Sequence, residues 1–301
     1  MRVLDALITG LAQGAMIALI ALGYTMVYGV LKLINFAHSE IFMMSAFIGL
    51  FLITMLGGTE HPLLAGVGGT LMAMVAAALI GMLVERIAYR PLRNRGKSSL
   101  VRVTPLVTAL GMSVLLQNLA QLMFTARNRS YPQLLTGSLS LGPLSVGTSR
   151  VVILLTAVVV MVVLELIVKR TWFGKAMRAL SANEEAARLM GINTSRVISA
   201  TFALGSSLAA LGSVLFCLDQ SPVHPSLGLV VGTRAFVAAV LGGIGSITGA
   251  MLGGLLIGVL GELLKLTSFS GGTDIPAFLV LIVVLLVRPA GLLGSARAEK
   301  V

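Results

Sequence analysis

Long apolar runs separated by short polar segments dominate this chain, at about 4–29, 41–56, 63–84, 103–124, 151–168, 197–218, 235–264 and 275–287. Runs of roughly twenty apolar residues are long enough to cross a hydrocarbon layer of about 30 Å. Backbone N–H and C=O groups find no water there, so each segment must pair its own groups, as a helix does. The pattern predicts an all-α polytopic membrane protein of about eight transmembrane elements, one domain over residues 1–301. The opening run resembles a signal peptide, but Asp5 interrupts its front and the apolar stretch continues without an A-x-A exit. It is read as a retained membrane helix.

The polar segments set an orientation. Residues 86–102 carry Arg86, Arg90, Arg93, Arg95, Lys97 and Arg102, and residues 169–196 carry Lys169, Arg170, Lys175, Arg178, Arg188 and Arg196. Both are expected on the cytoplasmic side, and the two runs between them give the even number that a shared side requires. The segments at 57–62, 125–150 and 219–233 then face outward, with Glu60, Asp219 and several prolines, although Arg127, Arg129 and Arg150 make this a bias only. Counting backward places the N-terminus outside. Counting forward through eight simple crossings places the tail outside too, against the preference of Arg288, Arg297 and Lys300. One element is therefore expected to be broken or re-entrant.

Two stretches qualify, 30–40 and 239–254. In the second, glycines 245, 249 and 253, and 254 and 258, recur every four residues. On a helix that spacing makes a groove for a neighbouring backbone. The Gly-Gly pair beside Gly-x-Ser also suits a helix that breaks and lines a route. Close packing and a substrate-lining break are both open at this stage. The first stretch, LKLINFAHSE, sets Lys32, Asn35, His38, Ser39 and Glu40 between apolar runs. It is either a cytoplasmic turn, with Lys32 and Glu40 paired across it, or a break whose polar groups line the pathway. Ionisable groups at membrane depth mark routes and cavities often enough to favour the second reading. The candidate pathway residues are Asn35, His38, Ser39, Gly243, Gly245 and Ser246.

Composition narrows the function classes. The chain is 57% hydrophobic and 11% charged, with mean hydropathy +1.00, far from the roughly 25% charged residues of soluble domains. The net charge of +11 sits in loops and is not interleaved with aromatics, so no nucleic acid partner is expected. Cys217 has no second cysteine to pair with. A phosphate-binding loop would need a glycine five positions before Gly96-Lys97-Ser98, where Pro91 stands. Residues 174–176, GKA, lack the hydroxyl for magnesium. There is no HExxH, no metal-spaced cysteine pair and no GxSxG. The chain is therefore read as no enzyme, with no cofactor or metal of its own.

Residues 170–196 read RTWFGKAMRALSANEEAARLMGINTSR. Ser181 or Asn183 can cap a short helix, Glu184 and Glu185 suit its first turn, and Gly191 suits its end. Leu180, Ala187, Met190 and Ile192 offer an apolar surface on a helix too short to stand alone.

Glu185-AARLM-Gly191 resembles the EAA-x-x-x-G core of the coupling loop in permease subunits of ABC importers. The stretches GYTMVYGVLKLINFAHSEIFMMSAF (23–47), VERIAYRPLR (84–93), ALGMSVLLQN (109–118), LMGINTSRVISATFALG (189–205) and AFVAAVLGGIGSITGAMLGGLLIG (235–258) extend the likeness. They resemble permeases of the branched-chain amino acid importers, in particular the H-type subunit of the high-affinity system. Two departures are visible. The I-x-L-P of many ABC permeases is absent, as is common in this group, and Ser39 stands where the family usually shows glycine.

The resemblance implies a multi-pass subunit in the bacterial inner membrane. Its implied partners are ABC ATPase subunits carrying ATP and magnesium, a second homologous permease and a periplasmic solute-binding protein. In the implied coupling loop, Glu184, Glu185, Ala186, Ala187, Met190 and Gly191 contact the ATPase. There Glu185 caps or charge-stabilises the helix, Ala187 packs into a groove and Gly191 permits the turn. The implied solutes are leucine, isoleucine and valine, with urea, short amides or other amino acids as alternatives. Two further readings are a secondary transporter, which would show more intramembrane charges than Glu165 and Glu262, and a non-transporting scaffold.

Overall fold

The computed structural model describes residues 2–93, 104–141, 144–267 and 275–294. The expected basic positions Arg95, Lys97, Arg102, Arg297 and Lys300 lie outside them, as does the Gly96-Lys97-Ser98 stretch. Seven described helices are long and apolar enough to cross a membrane. They are α1 (Arg2–Leu31), α2 (Ala37–Met55), α3 (Pro62–Val84) with its continuation, α5 (Thr104–Phe124), α6 (Thr148–Arg170), α9 (Thr194–Gln220) and α11 (Ile247–Leu264). Two shorter apolar helices are α10 (Leu227–Gly242) and α12 (Ile275–Val287).

The run expected at 235–264 is thus two helices. α10 stops at Gly242 and α11 starts at Ile247. Between them Gly243 and Gly245 hold φ of +100° and +97°, which a residue with a Cβ adopts only at a cost. The stretch at 30–40 is broken as well, with α1 ending at Leu31 and α2 beginning at Ala37. Both candidate breaks occur, where parity asked for one.

The sides follow from contacts. α1 begins beside α6, where Asp5 pairs with Arg150 at 3.4 Å, and ends beside Ser181, to which Lys32 donates at 3.4 Å. The N-terminus therefore lies at the end of the bundle opposite residues 169–196. The tail lies at the same end as 169–196. Leu292 and Leu293 N–H groups donate to the carbonyls of Leu241 and Gly242, at 2.9 and 3.0 Å, and Leu293 shares a cavity with Lys32 and Ser181. Splitting one run into α10 and α11 adds a crossing and returns the tail to the cytoplasmic side, where Arg288 prefers to be.

α3 widens at its end into one π-helical turn, Glu85–Tyr89, before α4 (Arg90–Arg93). Pro91 has no N–H, and its ring would crowd the carbonyl of Ile87 in a regular helix; the wider turn relieves that. α7 (Trp172–Ala182) and α8 (Glu184–Leu189) lie between α6 and α9. On the outer side, β1 (Arg129–Ser130) pairs antiparallel with β4 (Pro222–Val223), and β2 (Ser138–Leu141) with β3 (Leu144–Gly147). Tyr131 tucks beneath this layer, and burial holds its phenol above the ordinary range.

α1 is buried through almost its whole middle, from Ala12 to Val27, as expected of a helix apolar all round. It packs on α11 through facing small residues. A Cβ on Gly10 would meet Val259 Cα at 2.7 Å, and one on Gly14 would meet Leu255 Cα at 2.8 Å. From α11, Gly254 and Gly258 face Ala18 and Gly14, while Gly249 and Gly253 face Gly242 and Ala238 of α10. The four-residue glycine spacing therefore serves two neighbours at once, because lipid gives apolar helices no other reason to associate than close contact. α3, α5 and α6 surround this core and expose apolar side chains such as Leu71, Val114 and Val159. Gly14→Ala is expected to destabilise the protein by about 1–3 kcal/mol, read as a lower unfolding midpoint in detergent. Gly261→Ala, whose Cβ meets nothing within 4 Å, is expected to leave that midpoint in place.

Candidate functional site

The first break has a local cause. Lys32 takes φ +56° and its N–H still reaches Tyr28 O at 2.8 Å, closing the last turn of α1 as the chain leaves it. Lys32 is therefore aimed at the cytoplasmic side, near the Tyr28 ring and Ser181. Glu40, on the far side of the break, is 2% exposed. The two do not pair across a turn, because the chain reverses between them and sends them apart.

Asn35 lies in the break and is 2% exposed. Tyr89 O–H donates to its Oδ1 at 2.9 Å, and the π turn is what brings Tyr89 inward, against Phe202. The Asn35 Nδ2 has no hydrogen-bond partner. It borders a small cavity with Tyr24, Tyr28, Phe236 and Ile244. Tyr28 and Ile244 also border a cavity of about 900 Å³, lined with Lys32, Ser181, Gly245 and Ser246. That cavity joins the two breaks to the cytoplasmic helices. Ser246 caps α11, its Oγ accepting from Gly249 N at 3.1 Å.

The other expected pathway residues serve packing. His38 is turned into the core, edge-on to the Tyr24 ring at 4.6 Å, with Nε2 3.3 Å from Ile20 O. It fills the notch left by Gly23. Ser39 donates from Oγ to Phe36 O at 2.8 Å, and its Cα would be 3.2 Å from a Cβ on Gly232. Gly232 makes room for the serine that replaces a family glycine. Gly243 is crossed closely by the tail, since a Cβ on Gly291 would meet its Cα at 2.6 Å. Of the expected set, Asn35, Gly245 and Ser246 reach the cavities, and His38, Ser39 and Gly243 hold the surrounding structure.

The cytoplasmic element is built as its composition suggests. Asn183, and not Ser181, caps α8 by accepting from Ala186 N at 3.0 Å; Ser181 faces the cavity instead. Glu184 pairs with Arg188 at 3.4 Å, and Glu185 and Ala186 are exposed. Gly191 at φ +82° ends the helix, with its N–H on Arg188 O and that of Ile192 on Ala187 O. The expected apolar face divides. Leu180 and Ala187 are each 4% exposed, because α8 folds back on α7. Ala187 therefore packs within its own chain. Met190 points outward with Leu189, at 83% and 88% exposed; Leu189 went unread because periodicity set it off the chosen face.

Tyr89 and the tail 289–294 also went unread, since nothing in local sequence places them beside the breaks. Arg234 is a further ionisable residue, half-buried in the middle of α10. Glu165 and Glu262 are paired with Lys169 and Lys265. Among the described residues, no three His, Cys, Asp or Glu side chains come together in a metal-holding group.

Comparison with known proteins gives the family. The chain is 41% identical over 312 residues to the high-affinity branched-chain amino acid transport system permease protein BraD of Pseudomonas aeruginosa, covering 99% of this chain and 98% of that one. It is 38% identical over 305 residues to the corresponding LivH proteins of Escherichia coli and Salmonella typhimurium, covering 99% of this chain and 97% of theirs. Residues 6–288 match the model for the permease component of the branched-chain amino acid transport system. A multi-pass membrane bundle that agrees with this model over nearly its whole length belongs to that permease family.

Proposed function

We propose that this chain is one half of the pore of an ATP-driven importer that carries leucine, isoleucine and valine from the periplasm across the bacterial inner membrane. The observation that carries the reading is α8. It is a capped, two-turn helix on the cytoplasmic side, it presents Leu189 and Met190 to solvent, and it is too short to persist without support. Such a projection suits a groove in an ATPase subunit. The names of the full-length relatives support the solute class.

In this reading a second homologous permease completes the pore, a solute-binding protein delivers the amino acid outside, and two ATPase subunits hold ATP and magnesium. Closure of the ATPase pair displaces α8. α7 follows, because α8 folds onto it and Arg178 ties it to the carbonyl of Val168 at the end of α6. Ser181 then moves against Lys32, at the edge of the break that holds Asn35.

Replacing Leu189 and Met190 with Asp is expected to release the ATPase subunits on purification and to lower leucine uptake about tenfold or more, as for loss of an anchoring contact. Gly191→Val forces a β-branched residue into the left-handed region at about 1–2 kcal/mol and is expected to reduce uptake per ATP hydrolysed. Asn35→Ala is expected to lower uptake about tenfold, the worth of one buried hydrogen-bonding group, while the complex still purifies intact. Wild-type uptake in the Asn35 variant would remove that residue from the route.

A further inference from the structure

We propose that Glu40 is the binding residue for the ammonium group of the transported amino acid; the inference rests on the importer reading above. Glu40 is 2% exposed and lies in the first turn of α2, at membrane depth, where an ionisable group needs a counter-charge or a function. One carboxylate oxygen has a single partner, Ser113 Oγ of α5 at 3.3 Å. The other, Oε2, is buried and has none. The cations Arg150, Lys169, Arg188 and Lys265 are paired with other carboxylates, and among the described residues no ion pair to Glu40 is formed.

Around that oxygen the packing leaves room for glycine backbone only. On α10, Gly228 has no side chain to cover it; a Cβ there would meet Oε2 at 2.9 Å and the Ser39 carbonyl at 2.6 Å. Ser113 is half-buried, and next to it on α5 Val114 is exposed, as is Leu229 next to Gly228 on α10. The carboxylate thus lies one side-chain layer below the exposed Val114 of α5 and Leu229 of α10. Elsewhere on its exposed surface α5 carries Gly111, Asn118 and Gln121 among leucines such as Leu110, Leu115 and Leu122. A carboxylate with one oxygen unpartnered, behind a glycine, is the acceptor that a primary ammonium requires. Aliphatic or aromatic contacts cannot distinguish an amino acid from an apolar acid or alcohol of the same size; a desolvated carboxylate can.

The test uses the complete transporter, purified with its partner subunits and placed in liposomes with its binding protein, with radiolabelled leucine as the probe. Glu40→Gln is expected to lower leucine uptake about tenfold or more, as for loss of a charge-assisted bond, and Glu40→Asp to restore at least part of it. Unchanged uptake in Glu40→Gln, or equal loss in both variants with the complex intact, would overturn the assignment, the second because it marks a packing role. If Glu40→Gln does not assemble, the wild-type transporter decides. Carbodiimide coupling with leucine methyl ester, mapped by mass spectrometry, is expected to label Glu40 and to be suppressed by excess leucine. Labelling of exposed Glu185 without Glu40 would overturn it. A wild-type transporter that moves urea or an amide but no amino acid would instead remove the importer's proposed substrate class, and this inference with it. Wild-type leucine uptake beside an unaffected Glu40→Gln variant would remove this inference alone.

Discussion

A helix interrupted inside a membrane leaves backbone amides and carbonyls that lipid cannot satisfy, and this requirement governs the whole bundle. The protein interrupts its helices twice, at 32–36 and at 243–246, and supplies partners for both. At the first, the left-handed turn of Lys32 closes α1 on Tyr28 O. At the second, the tail returns to give Leu292 and Leu293 N–H groups to the open end of α10, while Ser246 caps α11. The tail can come that near only because Gly243 and Gly291 meet backbone to backbone. Irregular backbone at membrane depth is tolerated where it is buried in protein or lines a cavity, and these two breaks do both.

The same arrangement places the cytoplasmic pair α7 and α8 next to the breaks. The cavity between them is bordered by Ser181 of α7 and by Lys32, so a shift of the cytoplasmic pair would alter the space next to Tyr28 and Ile244, which also wall the small void at Asn35. The Lys32–Ser181 contact is exposed and long at 3.4 Å, and an exposed contact of that kind holds little free energy. It can change without breaking the fold. The firmer attachments are elsewhere, in the Arg178 bond to Val168 O and the glycine contacts of α1 with α11. A rigid core with a weak inner seam is what alternating access asks of a permease.

Much of this was legible in sequence, for reasons specific to the residues. Continuous apolar runs report on lipid and not on a particular fold, so helix positions followed directly. Local chemistry also carried: an Asn before two glutamates caps α8 as expected, and Gly191 ends it. The break at Gly243–Ser246 was visible as a possibility but not separable from glycine packing, since the structure uses the neighbouring glycines for both. What local sequence could not supply was partnership across the bundle. Whether His38 lines a route or fills the notch at Gly23 depends on α1 and α9. That Tyr89 orients Asn35 depends on a π turn set by a proline two residues later. Eight simple crossings left the tail in conflict with its basic residues because one hydrophobic run concealed two helices, and hydropathy alone has no term for a reversal within an apolar stretch.

The distribution of charge argues for what must cover the protein. Asp5 with Arg150, Glu165 with Lys169 and Glu262 with Lys265 lie near helix ends, where a pair can reach the interface. Glu40 and Arg234 lie deeper, on α2 and α10. Exposed Asn118 and Gln121 of α5 are poorly matched to lipid, whereas the exposed leucines and valines of α3, α5 and α6 are well matched to it. Association of helices in a membrane is favoured where polar groups leave hydrocarbon and small residues allow close approach. These few polar positions therefore call for a local partner, protein or water, on a surface that is otherwise suited to lipid.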